Sequence, residues 1–379
     1  MRSRLDSLLD ALLPVFATFA ALGVGAIMLF ILRVSPVEAY GALWEGAFGS
    51  TNAMAETLVK ATPLLLVGLG ICIAFRASVI NIGGEGQMII GGILATQIGL
   101  TFTDWPGWLV IFAAMVAGFL GGALWGGIPG FLKAYFRVNE ILSTVMMNAI
   151  AVQVMNYMLR GPMIDPAQAE KASKIPQTAR LLEAFRLPRW APTRLHAGFL
   201  IAVVLAILVY ILLWRTTLGY RIRAVGQNPH AARYGGIRVR RHIVTALLLS
   251  GAFAGLAGAI QVYGVNYRMI TDGSASGFTG SSGFNGIVAA LFGQLHPIGT
   301  IPASIFFGAL LVGANKMQRV VQIPSALITA LNGLVVIFVV SSEIWRRRRQ
   351  RQRLSRDETD DAPPSIAENI NTSKEEGSA

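Results

Sequence analysis

Residues 107–131 read GWLVIFAAMVAGFLGGALWGGIPGF, a run of 25 residues without one charged side chain. A helix needs about 20 apolar residues to cross the hydrocarbon core of a bilayer. This stretch meets that length, and its glycines and single proline are tolerated in membrane helices. Comparable runs occupy 14–32, 58–75, 79–100, 141–159, 195–214, 243–264, 301–314 and 324–344. A shorter one, 284–295, opens on Gly283-Phe284-Asn285-Gly286 and reads as a half-helix or one arm of a re-entrant pair. Such a segment requires cover from protein or an aqueous cavity. Together these predict an all-α, polytopic transmembrane helical bundle of about ten spans over residues 1–345. Pro36 to Phe48 reads as an amphipathic helix lying against the membrane.

Composition supports that class. Charged residues make up 14% of the chain, against about 25% in soluble domains. Hydrophobic residues reach 54%, and the mean hydropathy is +0.56. The one cysteine, Cys72, lies inside an apolar run, which excludes a disulfide framework. The run at 14–32 reads as a retained helix rather than a cleaved leader. A net charge of +12 raises nucleic acid as a partner. The basic residues, however, sit in short loops between apolar runs and after the last one, without interleaved aromatics. Nucleic acid is therefore excluded.

The same charges give an orientation, because cytoplasmic loops carry the Lys/Arg excess. With the N-terminus inside, the inner side holds Arg2, Arg4, Arg76, Lys133, Arg137, the Arg-rich loop 215–242 and the run from Arg346 to Arg349. Segment 161–194 falls outside although it holds Lys171, Lys174, Arg180, Arg186, Arg189 and Arg194. It is too long for a tight connection, so a small ordered element is expected. The tail, 346–379, is first basic, anchoring to lipid headgroups, and then acidic and disordered.

Gly118, Gly122, Gly126 and Gly130 stripe one helix face, and Gly251, Gly255 and Ala259 do the same later. Such stripes let backbones approach within lipid, and packing inside the chain is preferred to a dimer interface. Polar groups are costly at membrane depth and so mark places of interest. The densest set is Asn81-Ile82-Gly83-Gly84-Glu85-Gly86-Gln87, at the inner end of the third span, where a path or gate competes with tying helix ends together. Asn139 is a candidate helix cap, with Glu140 favourable in the first turn. Asn148, Gln153, Asn156, Asn285, Gln294 and Asn332 lie deeper. Neutral amides outnumber ionisable groups, which argues against a proton relay and for a neutral polar solute.

In the inner loop, Asn228 can cap a short helix from Pro229 to Tyr234, closed by Gly235 or Gly236. A short helix held between fixed arms suits docking into a partner's groove. This loop resembles the coupling segment of permeases of the branched-chain amino acid, ribose and nucleoside class of ABC importers. The resemblance runs from about Val34 to Ser342. It includes Ser35-Pro36-Val37-Glu38-Ala39-Tyr40, Phe75-Arg76-Ala77 with the Asn81–Gln87 motif, and Val138-Asn139-Glu140-Ile141 with Thr144-Val145-Met146-Met147-Asn148. Ser250-Gly251-Ala252-Phe253-Ala254-Gly255 and Gly283-Phe284-Asn285-Gly286-Ile287 with Pro297-Ile298-Gly299 complete it. The chain is most similar to the simple-sugar and nucleoside permeases.

The resemblance implies a type II-like importer in a bacterial cytoplasmic membrane, with both termini cytoplasmic. The permease would pair with a second permease, often a different paralogue, on ATP-binding subunits, and an external lipoprotein receptor would deliver solute. Gly226, Asn228, Pro229, Arg233 and Tyr234 would couple to the ATPase. Asn81, Glu85, Gln87, Asn148 and Asn285 would line the path or gate. The sequence has no phosphate-binding Gly-x-x-x-x-Gly-Lys loop and no coherent nucleophile–base set, so this chain is not expected to be an enzyme and holds no cofactor. ATP-Mg would be used in the partner. The competing readings are a permease for another small polar solute such as an amino acid, and an ion-coupled secondary transporter.

Overall fold

The computed structural model describes residues 20–31, 33–171, 175–190, 192–324 and scattered positions between 330 and 341. The expected spans at 14–32 and 324–344 lie partly outside the described residues. Lys174, Asn332, the Arg346–Arg349 run and the tail lie wholly outside them.

Among the described residues there are helices and two isolated bridges but no strand. In order they are α1 (Ala20–Ile31), α2 (Pro36–Phe48), α3 (Thr51–Arg76), α4 (Gly84–Thr101), α5 (Gly107–Phe136) and α6 (Glu140–Arg160). A single turn, α7 (Pro166–Ala169), precedes α8 (Gly198–Arg215), α9 (Thr217–Gln227) and α10 (Pro229–Tyr234). Then come α11 (Val239–Ile260), prolonged by a π-helical stretch Gln261–Asn266, α12 (Ala275–Thr279), α13 (Ser282–Phe292) and α14 (Pro297–Val321). Six of these are long and apolar enough to cross a membrane: α3, α5, α6, α8, α11 with its π extension, and α14. α4 has 18 residues, but Glu85, Gln87 and Gln97 dilute its apolar character.

α3 occupies the centre. Every residue from Ala61 to Ala74 is buried, so this helix meets protein on all sides. α11, α13 and α14 pack against it, whereas α5, α6 and α8 keep wide apolar faces outward. The two small-residue stripes face each other. Gly118 of α5 lies beside Ala259 of α11, and Gly122 lies between Gly251 and Gly255. A methyl group on Gly126 would come within 2.6 Å of the Leu247 carbonyl oxygen. Gly91 of α4 meets Gly255 as well, so three helix backbones touch along one seam.

α2 does not stand apart from the bundle. Gly46 packs on Gly313 of α14, and Glu45 pairs with Lys316 at 2.7 Å. The described parts of 161–197 pack against the end of α11. Leu187 N–H donates to the Tyr263 carbonyl (3.0 Å), Leu181 N–H to that of Tyr267 (2.8 Å) and Thr178 N–H to that of Met269 (2.9 Å). Arg186 and Arg189 stack on the Tyr267 ring, each at 4.7 Å.

His196, just before α8, is buried in this element and accepts the Gly198 N–H on Nδ1 at 3.1 Å. Burial, with the nearby Arg189 charge adding to it, pushes the His196 imidazole down to about 4. The unfolded chain therefore takes up a proton near pH 6.5 that the folded one refuses. Stability of this element is full above about pH 6.5 and falls as the pH drops toward 4. Limited proteolysis within 175–195 should accelerate between pH 7 and pH 5 in the wild type. A His196→Gln variant should lose that dependence, and an equal acceleration in both would refute the assignment.

Candidate functional site

α4 starts deep inside the bundle. A methyl group on Gly84 would lie 3.3 Å from Gly283 of α13 and 3.3 Å from the Val67 side chain. Val67 precedes the end of α3 by nine residues, roughly 13 Å along its axis. The Asn81–Gln87 motif thus sits within the bundle and not at the end of a span beginning at residue 79. Residues 77–83 enter without helix, and Ser78 takes a left-handed φ of 54°. Such backbone at depth needs partners for its polar groups.

Asn81 and Asn148 provide those partners. Asn81 accepts the Gly83 N–H (2.9 Å), donates to Ser250 Oγ (2.8 Å) and exchanges contacts with the Gln87 amide (3.0 and 3.1 Å). Asn148 of α6 accepts the Gly86 N–H at 2.8 Å and donates to the Ile82 carbonyl at 2.9 Å. Thr144 Oγ1 accepts the Ile82 N–H at 3.4 Å. Glu85 is 2% exposed, and its Oε1 accepts the Phe284 N–H at 3.2 Å. Its carboxyl lies at the first turns of both α4 and α13, where helix dipoles favour negative charge. The structure therefore gathers Asn81, Glu85, Gln87 and Asn148 around one joint between two helix starts.

Asn285 stays half-buried beside Phe284 and outside that network. Thr144 and Ser250 join it instead. A hydroxyl residue inside an apolar run has no spacing that would single it out from sequence. A cavity of about 1080 Å³ lies elsewhere, between α2, α14 and the end of α3, and Tyr40, Trp44, Phe292 and Phe306 are among its lining residues.

At the other end of the joint lies the short helix α10. Asn228 caps it, accepting the N–H groups of His230 (3.0 Å) and Ala231 (3.1 Å), with Pro229 in the first turn. Ala232 packs inward with Val225 and Val239, while Arg233 and Tyr234 face outward, Tyr234 being 95% exposed. Gly226 closes on the Arg76 carbonyl, and Ser78 Oγ donates to the Gly226 carbonyl at 2.6 Å. Arg76 stacks on Trp214 of α8 at 5.0 Å and donates to the Leu295 carbonyl at 3.2 Å. Leu295 and Gln294 form a left-handed turn between α13 and α14, at φ of 53° and 58°. The ends of α3, α8 and α9 and the α13–α14 turn thus meet at Arg76. Residues 77–83 continue from there to the Glu85 joint.

The family described as branched-chain amino acid transport system / permease component matches residues 53–340. Guanosine ABC transporter permease protein NupP of Bacillus subtilis is 37% identical over 87% of this chain and 93% of its own length. A glucose ABC transporter permease protein of Haloferax volcanii is 33% identical over 89% and 88%. NupQ, a second guanosine permease protein of Bacillus subtilis, is 32% identical over 66% and 78%. No solved structure matches the chain. With six apolar helices of spanning length among the described residues and a family match over most of its length, the chain is a multi-pass membrane transport subunit and belongs to the branched-chain amino acid transport system permease family.

Proposed function

We propose that this chain is one permease of an ATP-driven importer for a nucleoside or a simple sugar. The observation that carries the proposal is the capped helix α10, exposed at Arg233 and Tyr234 yet fixed to the bundle through Gly226 and Arg76. A rigid surface element anchored to helix ends can pass a push inward. In this reading Gly226, Asn228, Pro229, Arg233 and Tyr234 receive the motion of a separate ATP-binding subunit, which holds ATP-Mg. The joint of Asn81, Glu85, Gln87 and Asn148, with Asn285 beside it, acts as the gate. The two bundle states must differ in affinity for the ATP-bound partner and for the loaded receptor.

In this reading both termini and α10 lie on the cytoplasmic side of a bacterial inner membrane and the chain crosses it about ten times, an orientation that the Lys/Arg pattern supports. Two relatives from one organism, NupP and NupQ, carry the same guanosine permease name, which supports a second, different permease beside this one. An external solute receptor completes the assembly. The solute class rests on the guanosine and glucose relatives. The test is uptake into vesicles containing the purified complex. Labelled guanosine or glucose should accumulate only with ATP, and an uncoupler should leave accumulation intact. Accumulation that follows an ion gradient and ignores ATP would sink the proposal.

A further inference from the structure

The cavity of about 1080 Å³ beside α14 is a trough with apolar walls. On α14, Gly299, Ala303, Phe306 and Leu310 line it at helical spacing. From Gly299 to Leu310 this wall runs about 16 Å, roughly one leaflet of the hydrocarbon core. Leu43, Trp44 and Phe48 of α2 line it as well. Phe292 stacks on Phe306 at 5.3 Å, and Trp44 lies against Phe48 at 4.8 Å. Trp44 is 67% exposed, so the trough presents bare aromatic surface. Tyr40 brings a hydroxyl to these walls, but it already donates to the Leu22 carbonyl.

The other polar side chains of the lining gather at one end. Arg76 closes α3, Gln294 sits in the α13–α14 turn, and His296 precedes α14. The Gln294 amide has no hydrogen-bond partner among the described residues. Arg223 stands over the Trp214 ring at 5.8 Å, as Arg76 does at 5.0 Å, so a second positive charge lies behind this end. A trough that is cationic at one end and apolar for the depth of a leaflet has the polarity of a phospholipid. A hydrophilic solute would find almost no polar side chain along the rest of it.

We propose that this trough binds an anionic phospholipid of the inner leaflet, its phosphate at Arg76 and Gln294 and one acyl chain along α14 between Phe306 and Trp44. A guanidinium suits phosphate oxygens, and anionic headgroups favour basic pockets between membrane helices on the cytoplasmic side. Arg76 also joins α3 to Trp214 of α8 and to the α13–α14 turn, so the bound lipid braces the junction beneath α10. Placing the cationic end at the inner leaflet rests on the proposed orientation; the binding itself does not.

The probe is phosphatidylglycerol with a photoactivatable diazirine near the end of one acyl chain, added to the full complex in detergent. After illumination, adducts are mapped by mass spectrometry. They should concentrate on the Trp44–Phe48 and Phe306–Leu310 walls over the outward face of α8 around Ile207, which reports ordinary lipid contact. Unlabelled phosphatidylglycerol should displace the probe from the trough about fivefold better than phosphatidylcholine with the same chains, the preference expected of one arginine. Ala309→Trp fills the trough and should cut adducts on α2 at least about tenfold while leaving those on α8 unchanged. Adducts no denser in the trough than on α8, or equal displacement by phosphatidylcholine, would overturn the assignment. Displacement by guanosine or glucose would also overturn it and give the trough to solute. If Ala309→Trp does not fold, the competition on the unsubstituted complex still decides. None of these readouts uses ATP-driven uptake, so a failure of the importer reading would show separately.

Discussion

Gly226→Val is expected to abolish solute transport in a complex that still assembles. Any Cβ at this position falls on the Arg76 carbonyl and within 3.0 Å of the Ala77 carbonyl carbon, both of them backbone that cannot swing aside. α9 must lift away, and the Ser78–Gly226 hydrogen bond is lost with it. α10 keeps its Asn228 cap and its packing on Val225 and Val239, so the surface offered to a partner survives. What is lost is the connection from that surface to Arg76 and the α13–α14 turn. ATP hydrolysis should continue while uptake in reconstituted vesicles falls at least about 100-fold, close to 3 kcal/mol of lost coupling.

Arg233→Ala with Tyr234→Ala should fail differently. The bundle is untouched, but the ATP-binding subunit should no longer co-purify. Normal uptake by Gly226→Val would remove the coupling role of this contact.

Gly122→Leu should prevent the bundle from folding. Its side chain would have to enter the space held by the Gly251 carbonyl and the Gly255 backbone, where α5 and α11 touch. Overpacking into a core costs about 1–3 kcal/mol even when side chains can yield, and here the obstacle is backbone. The expected result is loss of the monodisperse species in detergent, or a destabilisation of at least about 3 kcal/mol. Leu124→Ala, two residues away on the outward face and 68% exposed, should melt like wild type. A folded but monomeric Gly122→Leu protein would assign the stripe to a contact between chains instead.

Apolar length made most of the bundle legible. The run at 107–131 lies within α5, 141–159 within α6, and the glycine spacing foretold close packing inside the chain, though not that the two stripes would meet. Local chemistry marked the Asn139 and Asn228 caps, because one short polar side chain satisfies donors two and three residues on. Hydropathy failed where polar residues enter helices. α3 begins at Thr51 under a Ser50 cap, seven residues before the apolar run, since Thr51, Asn52 and Glu56 hide its first turns. It failed again at 79–83, which the apolar run includes but which is not helical. At the site, the motif was visible but its depth was not. That Glu85 meets α13 across 199 residues of sequence depends on helix packing that no local pattern encodes.

The joint also constrains how the protein is made. α13 has 11 residues, about 17 Å of helix, roughly half the thickness of the hydrocarbon core. Released alone into lipid during synthesis, it could neither span nor hide its ends. Its supports come from both sides in time: Val67 of α3 against Gly286, made early, and Gly299 of α14 against Gly293, made after it. The nascent segment must therefore remain sheltered at the insertion machinery until α14 has emerged, and Glu85 meets its partner on α13 only then.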